Sequence, residues 1–74
     1  MDTANLIRMA NRIGQFFEAM PDRAEAVEGV ATHIRKFWEP RMRHALLAHV
    51  DAHGTEGLHP LVAQAAQARR EQIA

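Results

Sequence analysis

The 74-residue sequence predicts an all-α protein, a small helical bundle of three firm helices plus a weaker C-terminal helix. Three observations carry this prediction. Apolar residues recur at helical spacing through three successive segments. Pro21, Pro40 and the Gly54–Gly57 turn fall where those segments end. No stretch alternates apolar and polar residues with the period of two that marks a half-buried strand.

The first helix is expected over about Thr3–Ala19. Leu6, Met9, Ala10, Ile13, Phe16, Phe17 and Met20 fall on one stripe, with Arg8, Asn11, Arg12, Gln15 and Glu18 opposite. Ile7 alone lies off the stripe, which makes it an exposed or partner-facing isoleucine. Met20-Pro21-Asp22 breaks this helix. Asp22 suits an N-cap, and Glu25 follows three residues on, as in a capping box. The second helix should then run from about Arg23 to Phe37. Val27, Val30, Ala31, Ile34 and Phe37 form its stripe, extended by Trp38, while Glu25, Glu28, Thr32, Arg35 and Lys36 face outward. Its acid-first, base-last order suits the helix dipole.

Pro40 lacks an N–H and biases Glu39 away from helical geometry, so the second helix ends near Trp38. Proline also suits the first position of the next helix, which stops at Gly54, a C′ glycine. The third stripe is Met42, Leu46, Leu47 and Val50. Arg43 projects between Leu47 and Val50, and His49 and His53 border the apolar side. A fourth helix begins at Pro60, using Leu58, Leu61, Val62 and Ala65. It is alanine-rich, and polarity rises towards Arg69-Arg70-Glu71-Gln72, so residues ~66–74 are expected to fray or to order only against a partner. The chain reads as a single helical domain, 1–74, whose most buried residues should include Ile13, Phe16, Val30, Ile34 and Leu46.

Composition narrows the function. Cysteine is absent, which removes disulfides, thiolate metal sites and a Cys nucleophile. A core this small has little margin, so self-association or docking onto a larger partner is the remaining source of stability. Nine basic and nine acidic residues cancel, which argues against a dedicated nucleic-acid binder. Asp2 and the helical spacing of the early apolar residues do not read as a signal peptide, and no apolar run reaches the ~20 residues needed to span a bilayer. A soluble, cytoplasmic protein with no membrane partner is expected.

The inventory for chemistry is poor. Serine and tyrosine are absent, and the carboxylates lie scattered on polar helix faces, which leaves little for nucleophilic or acid–base catalysis. The four glycines, at 14, 29, 54 and 57, stand alone and build no phosphate-cradling loop. His49 and His53 share a helix face at a spacing that suits one zinc, but no further ligands join them and there is no H-E-x-x-H. The expectation is therefore no enzyme, no cofactor and no metal.

The most informative stretch is Arg35-Lys36-Phe37-Trp38-Glu39-Pro40-Arg41-Met42-Arg43. It places the only tryptophan at a proline-enforced corner among basic side chains. A Trp–Arg cluster has the composition of a binding hot spot. The candidate partner-binding residues are Arg35, Phe37, Trp38, Glu39, Pro40, Arg41, Met42 and Arg43. The alternative is that Trp38 packs into the core while the charges are solvated. A helix-turn-helix reading, and with it a small nucleic-acid-binding regulator, is the runner-up function.

The run Asn5-Leu6-Ile7-Arg8-Met9-Ala10-Asn11-Arg12-Ile13-Gly14-Gln15-Phe16-Phe17, followed by His33-Ile34-Arg35-Lys36-Phe37-Trp38-Glu39-Pro40-Arg41-Met42, resembles the delta subunit of NAD-dependent formate dehydrogenase. The similarity continues through Leu46-Leu47 and Gly57-Leu58-His59-Pro60-Leu61-Val62, and Phe-Trp-Glu-Pro-Arg-Met is its most specific block. The resemblance implies an accessory subunit of a soluble complex that oxidises formate and reduces NAD⁺. It also implies a partner, the alpha subunit, that carries a molybdenum (or tungsten) pterin and iron–sulfur clusters, and a beta subunit responsible for flavin and NAD chemistry. The delta subunit would hold no cofactor and would support assembly, stability or maturation of the molybdenum centre.

Overall fold

The computed structural model describes residues 2–74 and is helical throughout, with no strand among them. The helices are α1 (Thr3–Phe17), α2 (Arg23–Phe37), α3 (Pro40–His53), α4 (Pro60–Ala68) and α5 (Arg70–Ile73). Cap chemistry sets the ends, as expected at Asp22 and also at Asp2. The Asp2 carboxylate accepts from the Ala4 N–H at 3.0 Å, and Asp22 accepts from Glu25 N–H at 3.1 Å. Trp38 and Glu39 are extended (ψ 138° and 153°) and turn the chain between α2 and Pro40 at the start of α3. Gly54 closes α3 with φ 78°, a conformation that costs L-residues with side chains. α1 ends two residues before the expected Ala19, with Glu18 as the C-cap.

α2 and α4 form the centre of the bundle, α1 lies across both, and α5 ties back to α2, α3 and α4. Leu6, Ala10, Val30, Ala31, Ile34, Leu46, Val62, Ala65, Ala66 and Ile73 lose nearly all contact with solvent. At about 1.5–3 kcal/mol per large apolar side chain, this burial is the main stabilising term. The alanines do as much for the geometry, because small side chains let α1, α2 and α4 approach closely.

Three expectations about the core change. Val30, Ile34 and Leu46 are fully buried, but Ile13 is only half-buried at the core edge and Phe16 is 75 % exposed. The α1 stripe is wider than the surface available to it. The core takes the line Leu6–Ala10–Gly14 with Ile7, Ile13 and Phe17 beside it, and leaves Met9 and Phe16 on the far edge. Ile7 therefore packs against the core rather than standing outside it.

The C-terminal segment is the third change, since it is folded rather than frayed. Ile73 is fully buried. Arg70 makes a two-pronged pair with Asp51 of α3 at 2.9 and 2.6 Å, which raises the guanidinium pKa above its ordinary value. Arg69 donates to Glu28 at 2.9 Å, and Gln72 donates to Glu28 and to Thr32, both at 3.0 Å. Arg23 donates to Gln64 at 2.8 Å across α2 and α4. The polar side chains that gave this end its fraying signature are the ones that hold it down.

Candidate functional site

The sequence directs attention to the α2–α3 corner, and the structure divides its residues in two. Trp38 is 7 % exposed and belongs to the core. Its backbone N–H closes α2 on the Ile34 carbonyl at 3.0 Å. Arg43 is 8 % exposed, and its guanidinium donates to the Arg35 carbonyl at 3.2 Å. That contact places positive charge on the carbonyl end of α2, where the helix dipole favours it. Arg43 Nε is buried without a partner. Met42 is half-buried, and Arg35, Glu39, Pro40 and Arg41 are exposed. Glu39, Arg41 and Met42 border a shallow groove with Asn5, Leu6 and Met9. The exposed aromatic ring at the corner is Phe37, 71 % accessible.

Phe37 is one end of a ladder of rings. His33 lies 4.8 Å from Phe37, Phe17 lies 6.2 Å from His33, and Phe16 meets Phe17 edge-on at 5.1 Å. Gly29 makes this possible. A Cβ there would stand 2.5 Å from the Phe17 ring, so glycine lets the ring come this close to α2. The ladder borders a trough of about 630 Å³ along the outer side of α2. Its floor runs through Glu25, Gly29, Thr32 and Lys36, with Phe17 and Met20 on one flank and Arg69 on another. Glu28 is committed to Arg69, then to Gln72, and those hydrogen bonds hold its pKa below the ordinary carboxylate value. Asp22 is committed to its capping role. Glu25 and Lys36 make no ion pair among the described residues.

A signal for this ladder was present in Phe16-Phe17 and Phe37-Trp38. Neighbouring helical residues point about 100° apart, so Phe16 and Phe17 cannot both sit at the centre of one buried stripe, and at the corner the extended Trp38 turns its side chain away from the direction of Phe37 at the end of α2. In each pair one ring packs and the other is left over.

A second constructed feature was hidden in residues that read as an ordinary polar face. The Asn11 amide donates to the Gly57 carbonyl at 2.9 Å and accepts from the His59 N–H at 2.8 Å. His59 Nδ1 accepts from the Leu61 N–H at 3.1 Å and caps α4, which leaves Nε2 to donate to Glu18 at 2.8 Å. The neutral Nε2–H tautomer satisfies both contacts. Gly14 makes room for the ring, since a Cβ there would stand 2.6 Å from His59 Cγ. Asn11, Gly14 and Glu18 thus clamp the 57–59 loop on one side of α1.

Cysteine is absent, and among the described residues no group of three or more His, Asp or Glu side chains converges. The His49 and His53 rings lie tilted with centroids 5.0 Å apart and have no third partner of that kind among the described residues. No helix of the described residues is long and apolar enough to cross a membrane.

Comparison with known proteins adds one match. A family model described as NADH-dependent formate dehydrogenase delta subunit FdsD aligns with residues 5–66 of the chain. It spans α1 to α3 and most of α4, and so both the aromatic ladder and the Asn11–His59 clamp. No curated protein and no solved structure matches.

Proposed function

The chain belongs to the delta-subunit family of NADH-dependent formate dehydrogenase, and on that premise we propose that it is a non-catalytic accessory subunit that docks on the molybdenum- and iron–sulfur-bearing alpha subunit. It supports assembly and maturation of that subunit and holds no cofactor itself. One observation carries the reading. Two of the three phenylalanines of a small, thinly cored protein are 75 % and 71 % exposed, and they terminate one continuous aromatic ladder. Exposed clusters of large apolar side chains mark interaction surfaces, and aromatic rings dominate the energetics of such surfaces.

This moves the proposed anchor along the predicted block. Phe37 takes the role first given to Trp38, with Phe16, Phe17 and Met20 beside it. Arg35, Glu39, Pro40, Arg41 and Met42 form the neighbouring polar rim. Trp38 and Arg43 act from beneath, by fixing the corner.

The test is Phe16→Ala together with Phe37→Ala. Both rings are largely in water, so the isolated variant should stay helical and melt near the wild type. On co-expression it should be recovered with the alpha subunit at least tenfold less efficiently, as expected for loss of hot-spot residues. The molybdenum content of the assembled enzyme should fall with it, while the catalytic constants of fully loaded molecules stay unchanged. A folded double variant that co-purifies as the wild type does and yields fully loaded enzyme overturns the proposal.

A further inference from the structure

We infer that, before it meets its partner, the free chain covers its aromatic face with a second copy of itself, through an antiparallel α2–α2 pair related by a two-fold axis. The inference rests on the aromatic face assigned above and on nothing else in that proposal.

The argument is the charge pattern of the trough. Its two uncommitted charges are Glu25, one turn into α2, and Lys36, in its last turn. A helix that fills the trough must present a base opposite Glu25 and an acid opposite Lys36. An α2 running the opposite way does both. A two-fold axis perpendicular to the helix, passing midway between Val30 and Ala31, places residues at equal distance from that midpoint opposite each other. Glu25 then faces the second copy's Lys36, and Lys36 faces its Glu25. Gly29 comes level with the second copy's Thr32 beside the seam, while Ala24 and Glu28 lie along one flank and His33 and Phe37 along the other. All eight of these positions line the trough. Nearest the axis the Phe17 ring lies over Gly29, so Phe17 of each copy is part of the seam. A two-fold interface of this kind is closed, so association stops at the dimer.

The size is consistent. α2 has 15 residues and is about 22 Å long. With its flanks it offers on the order of 500 Å² per copy, near the lower limit for a specific interface. The dimer is therefore weak and exchangeable, as an occupant that must yield to another subunit should be. A formal net charge of zero opposes such pairing with no long-range repulsion. A basic peptide is a poorer occupant, because Asp22 and Glu28 are already engaged and Lys36 offsets Glu25.

The experiment is sedimentation of the full chain from micromolar to near-millimolar concentration. Wild type should pass from monomer to dimer. Glu25→Lys and Lys36→Glu should each weaken dimerisation about tenfold, because each turns two attractive pairs into two repulsive ones. The exchange variant Glu25→Lys/Lys36→Glu should restore it to within about threefold, the residual attributed to reversed helix-dipole charges. An equimolar mixture of the two single variants should form a heterodimer more readily than either variant dimerises alone. A wild type that stays monomeric overturns the inference and leaves docking on the alpha subunit untouched. Single variants that dimerise normally, or an exchange variant that is not restored, overturn the antiparallel register. Circular dichroism checks folding. Should a charge variant not fold, Glu25→Cys/Lys36→Cys in this cysteine-free chain takes its place. Mild oxidation should convert it to a covalent dimer, and a folded variant that remains monomeric overturns the pairing.

Discussion

The two sides of α1 were built for different ends. On one, Asn11, Gly14 and Glu18 hold the 57–59 loop, and the polar groups that meet there are partnered within the chain. On the other, Phe16 projects into water at the end of a ring ladder whose two outer rings, Phe16 and Phe37, are left largely exposed by the described residues. The first side has completed its contacts. The second needs another molecule to do so. The difference locates function without any catalytic group: self-satisfied surface is scaffold, and costly apolar surface left open is interface.

The largest effect that tests this contrast compares two large apolar residues both expected in the core from their spacing. Ile34→Ala removes a fully buried side chain and should cost about 2–5 kcal/mol. For a domain of this size each kcal/mol is worth roughly 4–8 °C in Tm, enough to unfold it. Phe16→Ala trims a ring that is 75 % exposed and should stay within about 0.5 kcal/mol. Thermal melts of the two variants decide it. A collapse of Phe16→Ala would mean that the ring is buried in solution and the open face does not exist.

A smaller effect separates the two sides through their glycines. Both sit in helix interiors, where alanine is favoured by about 1 kcal/mol, and both would place a Cβ too close to a neighbour. At Gly14 the obstruction includes His59 Cβ and Cγ, at 2.8 and 2.6 Å, close to a backbone pinned by Asn11 and on a ring pinned by Glu18. The ring cannot turn away without losing the clamp, so Gly14→Ala should cost about 1–3 kcal/mol. At Gly29 the obstruction is the outer part of the Phe17 ring, at the border of an open trough. That ring can swing out, so Gly29→Ala should be close to neutral in stability while disturbing the ladder and weakening association. Equal destabilisation by both substitutions, in chemical denaturation, would remove the distinction between the two sides.

Most of the fold was legible because it depends on local signals. Asp22, Pro40 and Gly54 mark helix ends through chemistry within a few residues, and the structure uses each as the sequence implies. The apolar period identified the helices but not how much of each stripe the core would accept. Only the packing of α1 on α2, α3 and α4 determines that Ile7 is covered and Phe16 is not. The same holds at the corner. Pro40 fixes the turn, but which of Phe37 and Trp38 points inwards depends on residues far along the chain. The clamp was hardest to foresee, since Asn11 and His59 are 48 positions apart and each alone resembles solvated surface. The C-terminal end was misread for a related reason. Arg69, Arg70 and Gln72 look like a solvated tail until Glu28, Thr32 and Asp51 are brought opposite them.

The smallest expected effect concerns that end, where the scaffold closes over α2 beside the open trough. Hydrogen bonds from Arg69 first, and from Gln72 next, hold the Glu28 carboxylate below its ordinary pKa of 4.5. A group whose folded-state pKa lies below its unfolded value contributes stability that is complete above the unfolded value and is lost as pH falls through the folded one. Acidification below the ordinary carboxylate range should therefore loosen α5 from α2 before the core opens. The side chain is exposed, so the effect is local and modest. Amide exchange near Gln72 and Ile73 should accelerate relative to Leu46 as the pH drops through this window. Glu28→Gln, which cannot ionise, should remove the pH dependence and leave α5 loosened at neutral pH. Exchange at Gln72 and Ile73 that follows Leu46 throughout, in both proteins, would show that Ile73 alone holds the segment and that the Glu28 contacts contribute nothing.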